Sequence, residues 1–466
     1  MQNFKFPTAF TILFGLILFA CGLTWFVPAG EYSQTFNHTL GKNVAKPGTY
    51  KSIESKPQGI FAAFQAPIGG FYDAKSGEVR AIDVALFVLI IGGFLGVVNK
   101  TGAINSSIQA AMLKLQGREK WMIPILMTLF ATGGTLYGMA EETLPFYLLI
   151  IPIVLAAGYD TITATAIILL GSGVGTLGST INPFATVLAS NAANVAFTQG
   201  IQTRLVLLLG SWLLATIYTA HYAAKVKAKP QNSLVYSTMR QDKRYFLKKF
   251  SEGQEYEFSN THKLILLIFI ASFITMVVGV ALYDWWMEQM SALFIMTSLI
   301  IGFIAKMPEQ EFVQTFIDGA KDLLSVALII GLARGIVVVL DNANISATIL
   351  HWAEIGVSGL SSTGFIMAIF LSLLLLSILV PSSSALAMLA LPIMAPLADF
   401  SSVGRDLVVT IYQSANGLVN LINPTFAVVM GGLTIARVPY EKWFKFMWPL
   451  MLMLLVFIIS VLLLAS

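Results

Sequence analysis

Charged residues are scarce in this chain of 466 amino acids, since only 11% are Asp, Glu, Lys or Arg whereas 56% are hydrophobic. A soluble domain carries about 25% charged residues, so the composition excludes a soluble globular protein and indicates a polytopic membrane protein. The single cysteine, Cys21, excludes an intrachain disulfide. By the predicted topology the four histidines lie outside the membrane core, which argues against a metal site or a histidine proton relay.

Seven apolar runs are long enough to cross a bilayer without interruption. They are residues 8–27, 82–98, 205–224, 264–282, 290–305, 323–340 and 446–464. Two longer regions, 121–197 and 364–437, are apolar but interrupted by Gly, Pro and small polar residues. Irregular backbone is tolerated at membrane depth only where it is buried in protein or lines a wet cavity, so we expect the functional site in these two regions.

Positive charge predicts the orientation of the chain. Segment 225–263 contains nine Lys or Arg residues and is placed in the cytoplasm, whereas 342–363 contains none and is placed outside. The net charge of +4 reflects such basic loops, so no nucleic-acid partner is predicted and the lipid bilayer is the expected surroundings. Nine full crossings then put the N-terminus in the cytoplasm and the C-terminus outside.

The two halves of the chain share landmarks at near-constant spacing. Ile-Asn-Pro occurs at 181–183 and again at 422–424, IIPIVLA at 150–156 matches ALPIMAP at 390–396, and IIGGFLG at 90–96 matches IIGLARG at 329–335. The charge rule makes the matching spans 82–98 and 323–340 run in opposite directions, so the repeats are inverted. Inverted repeats with interrupted segments in corresponding places indicate a secondary transporter whose binding site lies near mid-membrane.

The predicted fold class is an all-α polytopic membrane protein with two inverted repeats, at 1–224 and 264–466, joined by a cytoplasmic linker at 225–263. Each repeat contains a re-entrant hairpin and then a broken helix, giving about nine full crossings plus two hairpins. The hairpins are predicted at 121–157 and 364–398, and the broken helices at 161–197 and 405–437. The returning arm of each hairpin begins near mid-membrane, where its N–H groups favour an anionic group such as a carboxylate or chloride.

The broken helices are predicted to unwind at GSGVGTLG (171–178) and at QSANGLVNLINP (413–424), because glycine destabilises a helix and proline lacks an N–H. Unwound carbonyls with neighbouring amide and hydroxyl oxygens suit a sodium ion. The candidate ligands are Gly175, Thr176, Ser179, Thr180, Asn182, Ser414, Asn416, Asn420 and Asn423. The alternative is that these Asn and Ser side chains only cap the helix ends.

Four motifs resemble one family of carriers: GMAEETLPF (138–146), INPF (181–184), LVPSSSALAML (379–389) and LPIMAPLAD (391–399). They are similar to the YfcC-type branch of the C4-dicarboxylate carrier family, which is related to bacterial arginine/ornithine antiporters in the ion transporter superfamily. The resemblance covers nearly the whole chain. It implies a secondary carrier of the inner membrane, with a scaffold that commonly dimerises and an elevator-type transport domain formed by the hairpins and broken helices.

The resemblance leaves the substrate open between basic amino acids and dicarboxylates. Sodium-coupled relatives carry Ser-Asn-Thr at the hairpin tips, where this chain has Glu141-Glu142-Thr143 and Ser382-Ser383-Ser384. A carboxylate near mid-membrane costs about 2.5 to 3.5 kcal/mol, so each glutamate should be protonated, paired or in a wet site. We expect the tips, with Asn182 and Asn423, to bind a substrate: its cationic group at Glu141 or Glu142 and its carboxylate at the serines.

An internal ion pair is the alternative role for the glutamates. Arg334 lies within the apolar run 323–340, and a pair between Glu142 and Arg334 would join the first hairpin to a neighbouring helix and could lock one state.

Three classes of function remain to be compared. A channel would favour a continuous polar path, and an intramembrane enzyme would need a nucleophile with a base, which Ser382 to Ser384 lack in sequence. We therefore predict a non-enzymatic carrier without a cofactor, apart from Na⁺ or H⁺ as a coupling ion. Its solute is a small amino acid or, alternatively, a C4-dicarboxylate, moved by ion coupling or by exchange.

Overall fold

The computed structural model describes residues 8–466 apart from 38–41, 73–79, 104–105, 107–118, 248–258, 284, 286 and 358–359. Part of the predicted linker, 248–258, therefore lies outside the described residues. The described part is mostly helical and contains one antiparallel pair of strands. The predicted class of helical membrane protein is confirmed at this level.

In the described residues, the first half contains eight α-helices and the two strands. They are α1 (Ala9–Leu23), β1 (Gly30–Asn37), β2 (Lys42–Ser52), α2 (Ile60–Tyr72), α3 (Ala81–Lys100), α4 (Met122–Tyr137), α5 (Leu144–Ala156), α6 (Thr161–Leu177), α7 (Leu188–Ala192) and α8 (Ile201–Ala228). A single 3₁₀ turn, Glu141–Thr143, lies between α4 and α5, where the first hairpin tip was predicted.

The second half, with the linker, forms helices joined by turns and loops and has no strand in the described residues. Its helices are α9 (Tyr236–Leu247), α10 (Asn260–Tyr283), α11 (Met287–Ile304), α12 (Glu309–Asp322), α13 (Leu324–Asn342), α14 (Ser346–Val357), α15 (Ser362–Leu379), α16 (Ser383–Phe400), α17 (Arg405–Asn420), α18 (Ala427–Ile435) and α19 (Tyr440–Leu464).

Six helices of the described part are long and apolar enough to cross a membrane, namely α3, α8, α11, α13, α15 and α19. Helix α15 forms the first arm of the predicted second hairpin. With 18 residues it is about 27 Å long, which is more than an arm reaching mid-membrane requires. The predicted count of nine crossings stays a prediction.

The helices pack in two groups. Helix α3 packs against α11, α12 and α13, and α13 also packs against α1 and α2. In the other group α4 and α5 pack on α6, α15 and α16 pack on α17, and α8 packs on α19. Contacts of α13 with α18 and of α3 with α5 join the groups.

The glycines of the two predicted breaks do not unwind the helices, contrary to the expectation from sequence. Helix α6 continues through Gly171, Gly173 and Gly175 and ends at Leu177, and α17 continues through Gly417. A Cβ on Gly417 would lie 2.5 Å from Leu177 Cα, so this glycine lets α6 and α17 cross at close range. The breaks lie at 178–182, beginning with Gly178, and at 421–426, and each contains the Ile and Asn of an Ile-Asn-Pro motif.

The two strands contact α14, and the buried carboxylate of Glu354 on this helix accepts hydrogen bonds from both strands. Glu354 accepts hydrogen bonds from Tyr32 Oη at 2.7 Å and from the Gly48 N–H at 3.2 Å, and the His351 ring stacks on Tyr50. Burial and the neighbouring carboxylate raise the pKa of Tyr32, so its phenol remains a hydrogen-bond donor. These contacts fix the hairpin of strands to α14 rather than leaving it as a free loop.

The linker is attached to the ends of both broken helices. Asp160 caps α6 by accepting from the Thr163 N–H at 2.9 Å, and it also accepts from Ser233 Oγ in the linker at 2.6 Å. On α9, Asp242 lies 3.3 Å from Arg437, which follows α18. Burial raises the pKa of the Asp242 carboxyl, and the neighbouring Arg437 charge lowers it.

Candidate functional site

A cavity lies between the two predicted hairpin tips and the two broken helices, and it contains about 1450 Å³ of space, part of it open to solvent. Helix α13 of the other group closes one side of it. Ten of the predicted site residues line this cavity: Glu141, Glu142, Thr176, Asn182, Arg334, Ser382, Ser383, Ser384, Asn416 and Asn420.

The first tip is shaped by a left-handed glycine. Gly138 has φ +75°, and a Cβ there would lie 2.7 Å from the Asn182 amide nitrogen, so only glycine fits without displacing Asn182. The chain then turns so that the Ala140 N–H donates to a Glu142 carboxylate oxygen at 3.0 Å. Glu142 is only 7% exposed. Thr143, which does not line the cavity, donates to Ala140 O at 2.6 Å and so closes the turn.

The second tip presents hydroxyl groups and a helix N-terminus. Ser382 is the N-cap of α16: its Oγ accepts from the Ala385 N–H at 3.3 Å and lies 3.3 Å from Ser384 Oγ. Tyr412 of α17 donates to Ser383 O and holds the tip against the broken helix. The partial positive charge of an 18-residue helix therefore faces the cavity from this side.

Arg334 lines the cavity from α13, and its positive charge acts on Glu141. The ion pair expected from sequence joins Arg334 to Glu142, and that pair stays a prediction. The Arg334 charge acts between the first tip and a helix of the other packing group. The three charged side chains thus lie on the two surfaces that meet at the cavity.

The two asparagines of the repeated Ile-Asn-Pro make equivalent hydrogen bonds in the two halves. Asn182 donates to Gly134 O of α4 at 3.5 Å and accepts from the Ala185 N–H at 3.1 Å. Asn423 donates to Ser377 O of α15 at 3.1 Å and accepts from the Thr425 N–H at 3.1 Å. Each asparagine fastens a broken helix to the first arm of its hairpin. Asn423 does not line the cavity.

Most of the other predicted ion ligands bond to neighbouring groups. Gly175, Thr176, Ser414 and Asn416 lie within α6 or α17, and Ser179 Oγ lies 2.6 Å from Thr186 Oγ1. Thr180 Oγ1 lies 3.3 Å from Thr135 Oγ1, and Ser414 Oγ donates to Ile411 O. Asn420 differs, because its amide donates to Pro381 O while its Oδ1 is buried at the cavity without a hydrogen-bond partner in the described residues.

Gln413 was not among the predicted site residues, yet it connects the two halves. Its amide nitrogen donates to Ser179 O at 2.8 Å and Leu177 O at 3.3 Å, and its oxygen accepts from Thr186 Oγ1 at 2.8 Å. A buried glutamine in a largely apolar helix is the only signal of this role in the sequence.

Carbonyls at the second break are capped in the same way by donors on α19. Trp443 Nε1 donates to Leu421 O at 3.0 Å, and Tyr440 Oη donates to Ile422 O at 2.7 Å. The carbonyls expected to bind a cation at each break thus accept hydrogen bonds from the protein itself. This arrangement satisfies the polar backbone that the helix breaks expose.

A cavity that contains charged and polar side chains between interrupted helices, in a chain this apolar, is typical of a polytopic membrane transporter. The model of one family, the C4-dicarboxylate anaerobic carriers, matches residues 6–466, and this chain belongs to that family. The resemblance drawn from the sequence motifs is therefore confirmed.

Two relatives match over nearly their whole length. A Haemophilus influenzae protein of uncharacterised function is 36% identical over 490 residues, covering 96% of this chain and 94% of the relative. YfcC of Escherichia coli K12, whose name proposes a basic amino acid antiporter, is 27% identical and covers 95% of this chain and 93% of YfcC. The solved structure of Neisseria gonorrhoeae MtrF aligns over 99% of this chain and 95% of MtrF at 15% identity, with a TM-score of only 0.40.

Proposed function

We propose that this protein is a secondary active transporter that moves a small amino acid, or a related organic solute with separated charges, across the bacterial inner membrane. The observation that carries the proposal is the charge arrangement of the cavity. Two carboxylates lie at one tip, whereas hydroxyls and the positive end of α16 lie at the other.

An amino acid fits this arrangement because its ammonium and carboxylate groups have separate partners. Its cationic group would pair with Glu142, and its carboxylate would accept from Ser382 to Ser384 and the N–H groups of α16. The proposed name of YfcC, a basic amino acid antiporter, agrees with this substrate class. Exchange or ion coupling would drive the transport.

A C4-dicarboxylate is the second candidate, and Arg334 together with the family description favours it. One carboxylate could bind at the serine tip and the other at Arg334. This reading requires both glutamates to be neutralised, because a dicarboxylate would otherwise meet like charges in a site of low dielectric.

The movement we propose is an elevator motion. Helices α1 to α3 with α11 to α13 would form the scaffold, and the hairpins with the broken helices would move past it. The scaffold is also the expected surface of a homodimer. Arg334 on α13 would then be the scaffold residue that the first tip meets in one state. Sodium at the helix breaks would compete with Gln413 and Trp443 for the carbonyls they now bind.

Thermal unfolding of the purified protein tests the substrate class. L-arginine, L-ornithine and L-alanine are compared with succinate and fumarate, each with and without sodium. We expect an amino acid to raise the Tm, because a ligand at 100 times its Kd stabilises the folded state by about 2.7 kcal/mol. Stabilisation by succinate or fumarate, with none by the amino acids, would replace the proposal by the dicarboxylate alternative.

The proposed orientation places α9 in the cytoplasm and the C-terminus outside. In a Cys21→Ala background, Ser237→Cys should react with an impermeant thiol reagent only after cells are permeabilised, whereas Ser466→Cys should react in intact cells. Both positions are exposed in the structure. Labelling of Ser237→Cys in intact cells would contradict the inverted repeats, since the crossing count would then differ in both halves.

A further inference from the structure

The charged side chains that line the central cavity, among the described residues, are Glu141, Glu142 and Arg334. When all three are ionised, two negative charges face one positive charge, and the cavity holds one uncompensated carboxylate. A buried charge without a partner is strongly unfavourable in a low-dielectric site. The cavity therefore requires one additional positive charge, from a proton or from a ligand.

Burial assigns this uncompensated charge to Glu142, because the Glu142 side chain is buried whereas Glu141 is half-buried. Arg334 interacts with Glu141, while Glu142 receives the Ala140 N–H and lies beside the Glu141 charge. The described helices that pack on the tip are α5, α6 and α18, and their only titratable side chain is Tyr147 of α5, which is neutral. A proton on Glu142 removes the repulsion from Glu141 and leaves the Glu141–Arg334 interaction intact.

We propose that Glu142 binds a proton in the empty cavity and exchanges it for the cationic group of the substrate. The inference rests on the proposed amino-acid substrate and adds the coupling ion. The O–H bond of the Glu142 carboxyl breaks, the proton leaves to water on the open side of the cavity, and the carboxylate pairs with the ammonium or guanidinium group. One proton leaves for each substrate molecule bound, so the charge of the cavity is unchanged when the substrate is an amino acid with a net charge of +1.

This exchange has a consequence for the transport cycle. The substrate-loaded cavity and the empty, protonated cavity carry the same charge, whereas a cavity with neither ligand nor proton carries an extra buried negative charge. Moving that charge across the membrane is costly. The protein would therefore return only with a proton or with a second substrate molecule, which makes it an exchanger of protons and cationic amino acids.

The structure favours a proton over sodium as the coupling ion. Sodium needs several free oxygen ligands, but the carbonyls of Leu177, Ser179, Leu421 and Ile422 accept hydrogen bonds from Gln413, Trp443 and Tyr440. The carboxylate of Glu142 needs only a proton.

Infrared difference spectroscopy and ligand titration test the inference. In the ligand-free protein the C=O stretch of a protonated carboxyl should be present, and it should be lost in Glu142→Gln. L-arginine should release up to one proton per molecule bound in weakly buffered solution, and its affinity should rise up to about tenfold per pH unit while the carboxyl is protonated. Glu441→Gln, which removes a half-exposed carboxylate outside the cavity, should behave as wild type.

The outcomes separate the two proposals. Binding of L-arginine without proton release and without pH dependence would overturn proton exchange but leave the amino-acid carrier intact. Absence of binding by any amino acid would overturn the substrate class, whereas the infrared band would still report the proton. Persistence of the protonated-carboxyl band in Glu142→Gln would show that another group holds the proton, and the assignment to Glu142 would be wrong.

Discussion

Glu142→Gln is expected to weaken binding of a cationic or zwitterionic amino acid by about 2 kcal/mol or more, a loss of about 30-fold in affinity. The variant keeps the shape of the side chain and one acceptor oxygen but cannot become an anion. A charged donor of the substrate would then enter the cavity without an ionic acceptor. Uptake of the radiolabelled amino acid into proteoliposomes and equilibrium binding measure the effect.

The stability of Glu142→Gln should remain close to that of the wild type. If the glutamate is protonated in the empty protein, glutamine replaces one neutral group by another of nearly equal size, and the Ala140 N–H still finds an oxygen to donate to. An unchanged Tm together with lost binding would separate a role in recognition from a role in folding.

Glu141→Gln is the informative companion to this variant. Arg334 would lose its electrostatic partner at the tip, so we expect a different defect: weaker closure of the first tip against α13 rather than a selective loss of cationic ligands. Normal amino acid transport by both single variants, or tightest wild-type binding by succinate-like diacids, would contradict the amino-acid proposal and favour the dicarboxylate.

Local sequence signals predicted the places where the helices end. Pro183 and Pro424 cannot donate a backbone hydrogen bond, and the polar tip 141–143 interrupts an otherwise apolar run, so both breaks and both tips could be placed from residues that act within one turn. Ten of the site residues that were predicted from these signals line one cavity.

Long-range contacts could not be predicted in the same way. Gly175 and Gly417 have low helix propensity, yet they remain helical because close packing of α4, α6 and α17 needs residues without a side chain. Propensity is a local preference, and tertiary packing overrides it. The partner of Arg334 depends equally on how α13 approaches the first tip, which spacing along the chain does not specify.

The equivalence of Asn182 and Asn423 shows what repeated motifs can and cannot indicate. Their recurrence predicted a shared task, and the structure shows one: each ties a broken helix to the first hairpin arm through a carbonyl of that arm. The repeat of the motif did not reveal whether the asparagines bind an ion or join the broken helix to the hairpin arm by a hydrogen bond. Only the partners of the amide groups distinguish the two.

The second large effect is expected at Gln413. Gln413→Leu keeps the size of the side chain but leaves Leu177 O, Ser179 O and Thr186 Oγ1 without this partner at a buried site. Each unsatisfied buried group costs about 1 to 3 kcal/mol, so we expect a loss of about 3 kcal/mol in the free energy of unfolding. Thermal unfolding of the purified variant measures it. Ser414→Ala is the matched control, because among the described residues Ser414 Oγ bonds to a carbonyl of its own helix.

Gln413→Glu distinguishes a hydrogen-bonding amide from a cation at the first break. The carboxylate cannot donate to the two carbonyls and adds a negative charge beside them, so this variant should be less stable than Gln413→Leu in sodium-free buffer. Sodium should partly restore its Tm, because a cation can then bridge the carboxylate and the carbonyls. The wild type should show no such increase, since its amide already occupies that position. If sodium raises the Tm of the wild type but not that of Gln413→Glu, sodium binds at the breaks without displacing Gln413. The proton would then not be the only coupling ion.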